Sequence, residues 1–539
     1  MNLKTAEGVR RFEAIASDIA DLVLEFGGAL SGEHGDGLVR GPFTARMFGP
    51  VLYEAFRTIK RTFDPEGLLN PGKIIDTPPL TANLRYGAGY QTPEPPTYFD
   101  FSEYGGMGRA VEMCSGLGVC RKTNDGTMCP SYMATREEGH STRGRANALR
   151  WAMAGRLGES GLGDEGVYEV LDLCLECRAC KSECPVGVDV ARFKSEFLAD
   201  YWKRHPVPWR TRVFGHVHTL SKWGSRFVPI SNLVVRSTVG RVLGDKLLHI
   251  DKRRMLPAWT RQTFIHQFSK RKSSLPTSSL ASSSLSPSSL PPSTSHPVVL
   301  FADTFTNYFH PEIGIAATEV LKAAGLVVRL ASHTCCGRPL VSQGLLEAAR
   351  VLAEANAHAL YDAAARGDRI VFLEPSCLSA MREDAPALLR GQSQRKARVV
   401  ADASVLFEDY LEREWASGSI QLRLRPGPSL IHFHGHCHQK AMGLAAPTRA
   451  LLSRIPSTTV VDLDAGCCGM AGSFGYAREH YEISRQIGER RLLPAARAME
   501  AGGVLAASGV SCREQVAHFT GARAVHPAVL LRSLVEDLP

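Results

Sequence analysis

The chain has 539 residues, 44% hydrophobic and 22% charged, an ordinary composition for a globular protein with room for three or four domains of about 150 residues. Disorder as the overall state is excluded, and no stretch approaches the roughly 18 uninterrupted apolar residues of a membrane-spanning helix. The formal charge of +9 is uneven: from Tyr201 to Lys272, sixteen Lys and Arg face only Asp245 and Asp251, so the rest of the chain is net acidic. A general nucleic-acid binder is excluded on that distribution, since no recognised module accompanies the charge. The N-terminal stretch MNLKTAEGVRRFEAIASDIADL is charged, with no apolar signal core, so a cytoplasmic location is expected.

In chain order, Phe12, Ile15, Ile19, Leu22, Val23 and Phe26 share one face of a helix that Gly27-Gly28 stops. A Gly-rich turn over 29–37 follows, then a second helix around 51–63 ending at Asp64-Pro65, and the stretch Asn70-Pro71-Gly72-Lys73-Ile74. Residues 77–105, rich in Pro, Gly and Tyr, read as an extended connector. Residues 106–272 are helical, broken by two cysteine loops. Residues 273–297 (SSLPTSSLASSSLSPSSLPPSTSHP) are a Ser/Pro linker with too little apolar surface to fold. Beyond it the chain repeats itself, over 298–420 and 421–539. Blocks at 298–305, 333–344, 370–381 and 397–407 answer blocks at 430–439, 465–475, 504–514 and 522–531. Apolar strands alternating with helical stretches predict two small α/β units with parallel sheets.

All fourteen cysteines cluster, seven between Cys114 and Cys184 and seven between Cys335 and Cys512. A reducing compartment turns clustered cysteines toward metal or redox chemistry rather than disulfides. Cys174-x2-Cys177-x2-Cys180-x3-Cys184-Pro185 has the spacing of a cubane iron–sulfur run, in which three thiolates hold one cluster and the fourth reaches another. The companion set is Cys114-x5-Cys120-x8-Cys129-Pro130. The crossed rule assigns Cys129, Cys174, Cys177 and Cys180 to one complete 4Fe-4S cubane, and Cys114, Cys120 and Cys184 to a second. Leu117 stands where that second cluster's remaining thiolate belongs, so a 3Fe-4S cluster is expected there unless another ligand, Asp125 foremost, fills the corner. A structural zinc site is the alternative. The arginines of a helix expected at Arg136–Arg150 either bring cations to the cluster sulfurs or form a solvated face.

The C-terminal repeats double a Cys-Cys-Gly motif. In unit two Cys437, Cys467, Cys468 and Cys512 are all present; in unit one Cys335, Cys336 and Cys377 are joined by Thr304 in place of a leading cysteine. The lone cysteines follow predicted strands, and loops after parallel strands gather at the sheet's carboxyl edge, the usual place for a site. His434, His436 and His438 flank Cys437, either as contributors to that site or as exposed loop residues.

The region around the first cysteine sets, with MCPSYMATREEGHSTRGRANALR (128–150), resembles the two-cluster ferredoxin domain fused to flavin-dependent 2-hydroxyacid dehydrogenases. The repeats resemble the cysteine-rich (CCG) domains of heterodisulfide reductase, lactate-utilisation and glycerol-3-phosphate dehydrogenase subunits, which hold non-cubane iron–sulfur clusters or zinc. GGALSGEHGDGLVR (27–40) with NPGKI (70–74) resembles the C-terminal end of FAD-linked oxidases acting on D-lactate, glycolate or D-2-hydroxyglutarate. The resemblance implies His34 as the proton-accepting catalytic residue, Glu33 as a metal ligand and Asn70 as a flavin contact. It also implies a flavin-binding domain ahead of residue 1, which this sequence lacks. The implied fold is multidomain α+β: a C-terminal oxidase piece over 1–76, an all-α ferredoxin-like domain and two α/β CCG units. The implied function is oxidation of a 2-hydroxyacid with FAD, electrons passing through the clusters to a quinone, cytochrome or protein acceptor. A stand-alone electron-transfer subunit partnering a separate flavoprotein is the rival, and a zinc-stabilised scaffold a third. Trp202, Trp209, Trp223 and Trp259 among the arginines of 201–272 suit either a solvated helical face or peripheral contact with the inner face of the cell membrane, where an electron acceptor would lie.

Overall fold

The computed structural model describes residues 1–158, 161–273, 297–500 and 502–536. Nearly all of the expected Ser/Pro linker therefore lies outside the described residues. The chain forms two compact units, Met1–Pro93 and Glu94–Pro539.

In the first unit, Thr5 caps the helix Ala6–Glu25 by accepting the Gly8 N–H, and the helix stops at Phe26 where the sequence predicts. Helix Thr44–Phe63 begins earlier than expected, but Gly49 at φ 72° interrupts it before Pro50, so its regular part coincides with the predicted helix. The Asp64 carboxylate stops it by accepting the N–H groups of Leu68 and Leu69 at 2.8 and 2.9 Å. Few residues of this unit are buried: Phe26, Val51 and Phe63 each expose more than four-fifths of their surface.

The second unit begins with a helical layer whose principal members are Thr142–Met153, Glu165–Asp172 and Val190–Arg204. The helix expected at Arg136–Arg150 starts only at Thr142, because Arg136 is left-handed and Ser141 supplies the cap through the Gly144 N–H. Two parallel sheets follow. Strands β1 (Val298–Leu300), β2 (Val328–Leu330), β3 (Arg369–Phe372) and β4 (Ser404–Leu406) lie in the order β2-β1-β3-β4. Strands β5 (Leu430–Phe433), β6 (Thr459–Asp462) and β7 (Val504–Ala506) lie in the order β6-β5-β7. Val299 pairs with Ile370 in the first sheet and His432 with Leu505 in the second.

Two blocks differ from expectation. Most of 397–407 belongs to helix Gly391–Ala403, with Ala397, Val400 and Ala401 buried at helical spacing, and only the last residues form β4. The second half of 522–531 opens the helix Pro527–Leu534, preceded by a single bridge from Val525 to Ala506. The two repeats are not independent layers: Val298, Leu300 and Val371 share one apolar core with Ile431, Phe433 and Ala506. Another core wraps the N-terminal cysteine loops and reaches Leu340, Val341 and Leu346 of the first repeat.

A buried charge network closes this contact. Arg178, 1% exposed, pairs with Asp384 and, at 2.5 Å, with Glu383. Arg338 joins Asp384 at 3.2 Å and Glu176 at 2.6 Å. Removing one member leaves buried charges uncompensated, which costs about 3–5 kcal/mol. Arg178→Ala is accordingly expected to lower stability by ~3–5 kcal/mol in denaturant unfolding, while Arg178→Ala with Asp384→Ala recovers part of that loss. A single variant as stable as the parent refutes the network's role.

Candidate functional site

All fourteen cysteines are buried except the half-buried Cys184, and none is in a disulfide among the described residues. The loop from Cys174 to Cys184 passes through left-handed backbone at Glu176 (φ 52°) and Arg178 (φ 61°). Non-glycine residues hold that conformation at a cost, and here the side chains of both are the ones fixed by the charge network. Lys194 donates to the carbonyls of Asp172 (3.1 Å) and Cys174 (2.8 Å). Helix Ala179–Glu183 then carries Cys180 and ends at Cys184.

Cys129 opens the helix Pro130–Thr135. Its sulfur receives the guanidinium of Arg145 at 3.2 Å, and Arg145 also donates to Ser131 Oγ at 2.8 Å and to the Val170 carbonyl at 3.0 Å. Arg145 is 1% exposed, so of the two readings of the arginines the structure places this one against sulfur. It lies within electrostatic reach of Cys129, Cys174 and Cys180. Burial pushes the thiols of Cys174, Cys177 and Cys180 up. Cys177 also feels Cys437 of the second repeat. Cys114, Cys120 and Cys184 line a separate small cavity with Leu117 and Arg143, and the Arg143 N–H points at Cys120 Sγ at 3.4 Å. The cysteines thus fall into the two groups that the spacing predicts. Asp125 does not line the second cavity.

In the second repeat Cys437 opens the short helix after β5, and the Cys467-Cys468 turn follows β6. Cys437 is lowered to about 7, first by the thiol of Cys467 and, against burial, by His436. Cys468 is lowered by Cys467, by Cys512 and by His434. His434 is 1% exposed, and neither of its ring nitrogens has a hydrogen-bond partner. His436 and His438 are equally enclosed, so the three are not the exposed loop residues of the alternative reading. The Gly469 N–H points at Cys467 Sγ at 3.4 Å.

In the first repeat, Cys336 lies 3.0 Å from Cys377, and Thr304 Oγ1 lies 3.7 Å from Cys335 Sγ. Thr304 is itself engaged by His218 Nδ1 at 2.9 Å, a partner from the helical segment that sequence reasoning missed. Among the described residues no three His, Cys, Asp or Glu side chains close on a single-ion position. The donor sets do fit iron–sulfur groups. Buried thiolates alone are costly, a positively charged metal offsets that cost, and N–H groups already point at three of the sulfurs. Cys174, Cys335, Cys336, Cys377 and Cys437 all reach one largely apolar cavity of about 730 Å³.

The first unit offers no such enclosure. Glu33 and His34 project into solvent, their side chains 89% and 74% exposed and 3.2 Å apart. Asn70 is exposed and accepts from Lys73 at 3.2 Å. Within Met1–Pro93 these residues build no flavin cradle. The residues that hold the cysteine loops, Glu176, Lys194, Arg338 and His218, carry no local sequence signature: each is an ordinary polar residue until its distant partner is known.

Residues 1–74 match the family described as FAD linked oxidases, C-terminal domain; residues 110–188 match the 4Fe-4S dicluster domain; residues 301–382 and 431–516 match the cysteine-rich domain. Among curated proteins the chain is similar to D-2-hydroxyglutarate dehydrogenases of Pseudomonas putida (29% identity, 95% of this chain, 52% of the relative) and Escherichia coli (25%, 97% and 53%). It is also similar to an anaerobic glycerol-3-phosphate dehydrogenase subunit of Escherichia coli (29% identity, 60% of this chain, 76% of the relative). The chain spans about half the length of the D-2-hydroxyglutarate dehydrogenases it matches. No solved structure matches. With two groups of buried thiols in its helical part and a doubled cysteine site on its paired sheets, the chain carries in order a FAD-linked oxidase C-terminal domain, a 4Fe-4S dicluster domain and a duplicated cysteine-rich domain.

Proposed function

We propose that this chain is the electron-transferring portion of an iron–sulfur flavin oxidoreductase that oxidises a D-2-hydroxyacid, 2-hydroxyglutarate first among the candidates. The observation that carries the reading is that the Cys174–Cys180 run meets cysteines of both repeats around one buried cavity. Cys177 is within electrostatic reach of Cys437, and Cys174 lines one cavity with Cys336, Cys377 and Cys437. Similarity to the two D-2-hydroxyglutarate dehydrogenases over nearly the whole chain supports the substrate class. Similarity to a relative that is itself named as one subunit of a dehydrogenase supports the rival, an electron carrier beside a separate flavoprotein.

Cys129, Cys174, Cys177 and Cys180 would hold a 4Fe-4S cubane, and Cys114, Cys120 and Cys184 a cluster whose fourth corner Leu117 leaves without a thiolate. Cys437, Cys467, Cys468 and Cys512 would hold the principal centre of the repeats, as a non-cubane cluster or zinc; Thr304 leaves the first repeat the weaker holder. Such clusters supply one-electron carriers that need no proton transfer at the metal. The chain's own contribution is to bury the thiolates, to direct Arg145 and backbone N–H groups at them, and to exclude water. Donors of that kind favour the more electron-rich state of a cluster and raise its potential. His34 would take the substrate hydroxyl proton and Glu33 would hold a divalent metal once a flavin domain encloses them, an imidazole being suited to that task near neutral pH.

Anaerobically purified chain should carry iron and acid-labile sulfide, with a three-iron EPR signal when oxidised and a four-iron signal when reduced. Leu117→Cys should replace the three-iron signal with a second four-iron signal; a variant spectrum identical to the parent's sinks the assignment of that corner. Cys468→Ser should release more metal than Cys335→Ser in elemental analysis, and equal losses would mean that the two repeats hold metal alike. Mixed with a flavoprotein that oxidises D-2-hydroxyglutarate, the chain's visible cluster absorbance should bleach on adding that substrate and stay unchanged with flavoprotein alone as control. Absence of bleaching with clusters intact would exclude the electron-transfer reading.

A further inference from the structure

Residues 249–254, from the basic segment, lie as a strap along the chain that follows the paired cysteines of the second repeat. Ile250 bridges to Ala477, and the Asp251 N–H donates to the Tyr476 carbonyl at 2.8 Å. Ile250 shares an apolar core with Cys468 and Cys512. At the end of the strap Arg254 turns inward and is 2% exposed. It donates through Nε to the Gly475 carbonyl at 2.8 Å and through Nη2 to Ser484 Oγ at 2.9 Å. The rings of Phe519 and Tyr481 lie 4.7 and 5.1 Å from its guanidinium carbon.

No carboxylate balances this charge. Neighbouring Arg253 takes Asp251 at 2.7 Å and Glu482 at 3.0 Å, whereas Arg254 forms no ion pair among the described residues. Its Nη1 is buried without a hydrogen-bond partner. A buried cation in that state is costly, and the aromatic faces offset only part of the cost. The buried Arg178 meets two carboxylates instead. Ser484 ties Arg254 to both cysteine-bearing elements. Gln515, on the Cys512 helix Val510–Thr520, donates to the Ser484 carbonyl at 3.0 Å and to its Oγ at 3.1 Å. Gly469, next to Cys468, lies so close that a Cβ there would come within 2.2 Å of the Ser484 carbonyl oxygen. Burial pulls the Arg254 pKa down, and Cys468 is among the groups that oppose it.

We propose that Arg254 is the counter-cation of an iron–sulfur centre held by Cys437, Cys467, Cys468 and Cys512, and that it favours the reduced state of that centre. The proposal rests on the reading of those four cysteines as cluster ligands. Thiolate ligation makes such a centre anionic, and one electron entering it adds one more negative charge. A cation already in place beside it stabilises that added charge, so the potential rises and no proton need accompany the electron. The unpaired guanidinium and the anionic centre thus answer each other. Arg145 stands in the same relation to Cys129, which it touches at 3.2 Å, whereas Arg254 acts from behind Ser484 without touching a sulfur.

The test is an anaerobic redox titration of the full, cluster-loaded chain followed by EPR, and it needs no hydroxyacid turnover. Cys468→Ser identifies the signal that belongs to the second repeat. Arg254→Met removes the charge at similar length. It should move that centre's one-electron equilibrium about tenfold toward the oxidised form, a midpoint lower by about 59 mV. The cubane of Cys129, Cys174, Cys177 and Cys180 should titrate as in the parent, which reports an intact fold. Arg254→Lys keeps the charge without the fork and should hold the equilibrium within about threefold of the parent's. Arg254→Gln, neutral but still a hydrogen-bond donor, should shift it as Arg254→Met does, and it decides the matter if the Met variant takes up no metal. Neutral variants with an unchanged midpoint, or a Lys variant shifted as far as they are, overturn the proposal. If Cys468→Ser removes no signal, the cluster reading of the second repeat falls and the proposal with it. If the signal is lost in Cys468→Ser but unmoved by the neutral variants, that reading stands and the proposal alone falls.

Discussion

The network of Arg178, Arg338, Glu176, Glu383 and Asp384 decides how the redox half of the molecule is put together. Burying ions is expensive, and attraction in the interior repays the cost only when every partner is in place. That makes the contact nearly all-or-none. Glu176 and Arg178 sit between the cysteines of the Cys174–Cys184 run, in left-handed backbone, and their partners belong to the first repeat. The loop can therefore take its thiol-presenting shape only where the repeat supplies opposite charge. Docking and loop geometry are one event.

Apolar packing completes what the charges orient. The core around the cysteine loops includes Phe99, Phe193 and Phe197 together with Leu340 and Leu346 of the first repeat and Cys437 of the second. The two sheets in turn share Val371, Ile431 and Phe433. One core runs through both repeats, which explains why a sequence with two obvious halves folds beyond Pro93 as one compact unit.

What the sequence makes legible is whatever repeats or counts at short range. The cysteine spacings set Cys114, Cys120 and Cys184 apart, and these three share one small cavity. The helix Ala6–Glu25 follows from its apolar periodicity and its glycine stop. Strands β2 and β6 are illegible for a physical reason: they are short edge strands, incompletely buried, with Arg329 and Asp462 among their few residues. The helix Gly391–Ala403 is disguised by Arg398-Val399-Val400, which in isolation suits a strand equally well. The charge network is invisible because Glu176 and Arg338 are 162 positions apart.

The exposed helices of residues 230–248 show the limit of periodicity most plainly. An apolar stripe states only that a face avoids water; it does not say what covers it. In most helices of Glu94–Pro539 the cover is another part of the chain, as when Ile313, Ala317 and Val320 of one repeat's helix join the same core as Leu531 of the other's. Here the described residues supply none, and the basic residues beside the stripe restrict what else can. A cover for it must take up the leucines and answer the charges together.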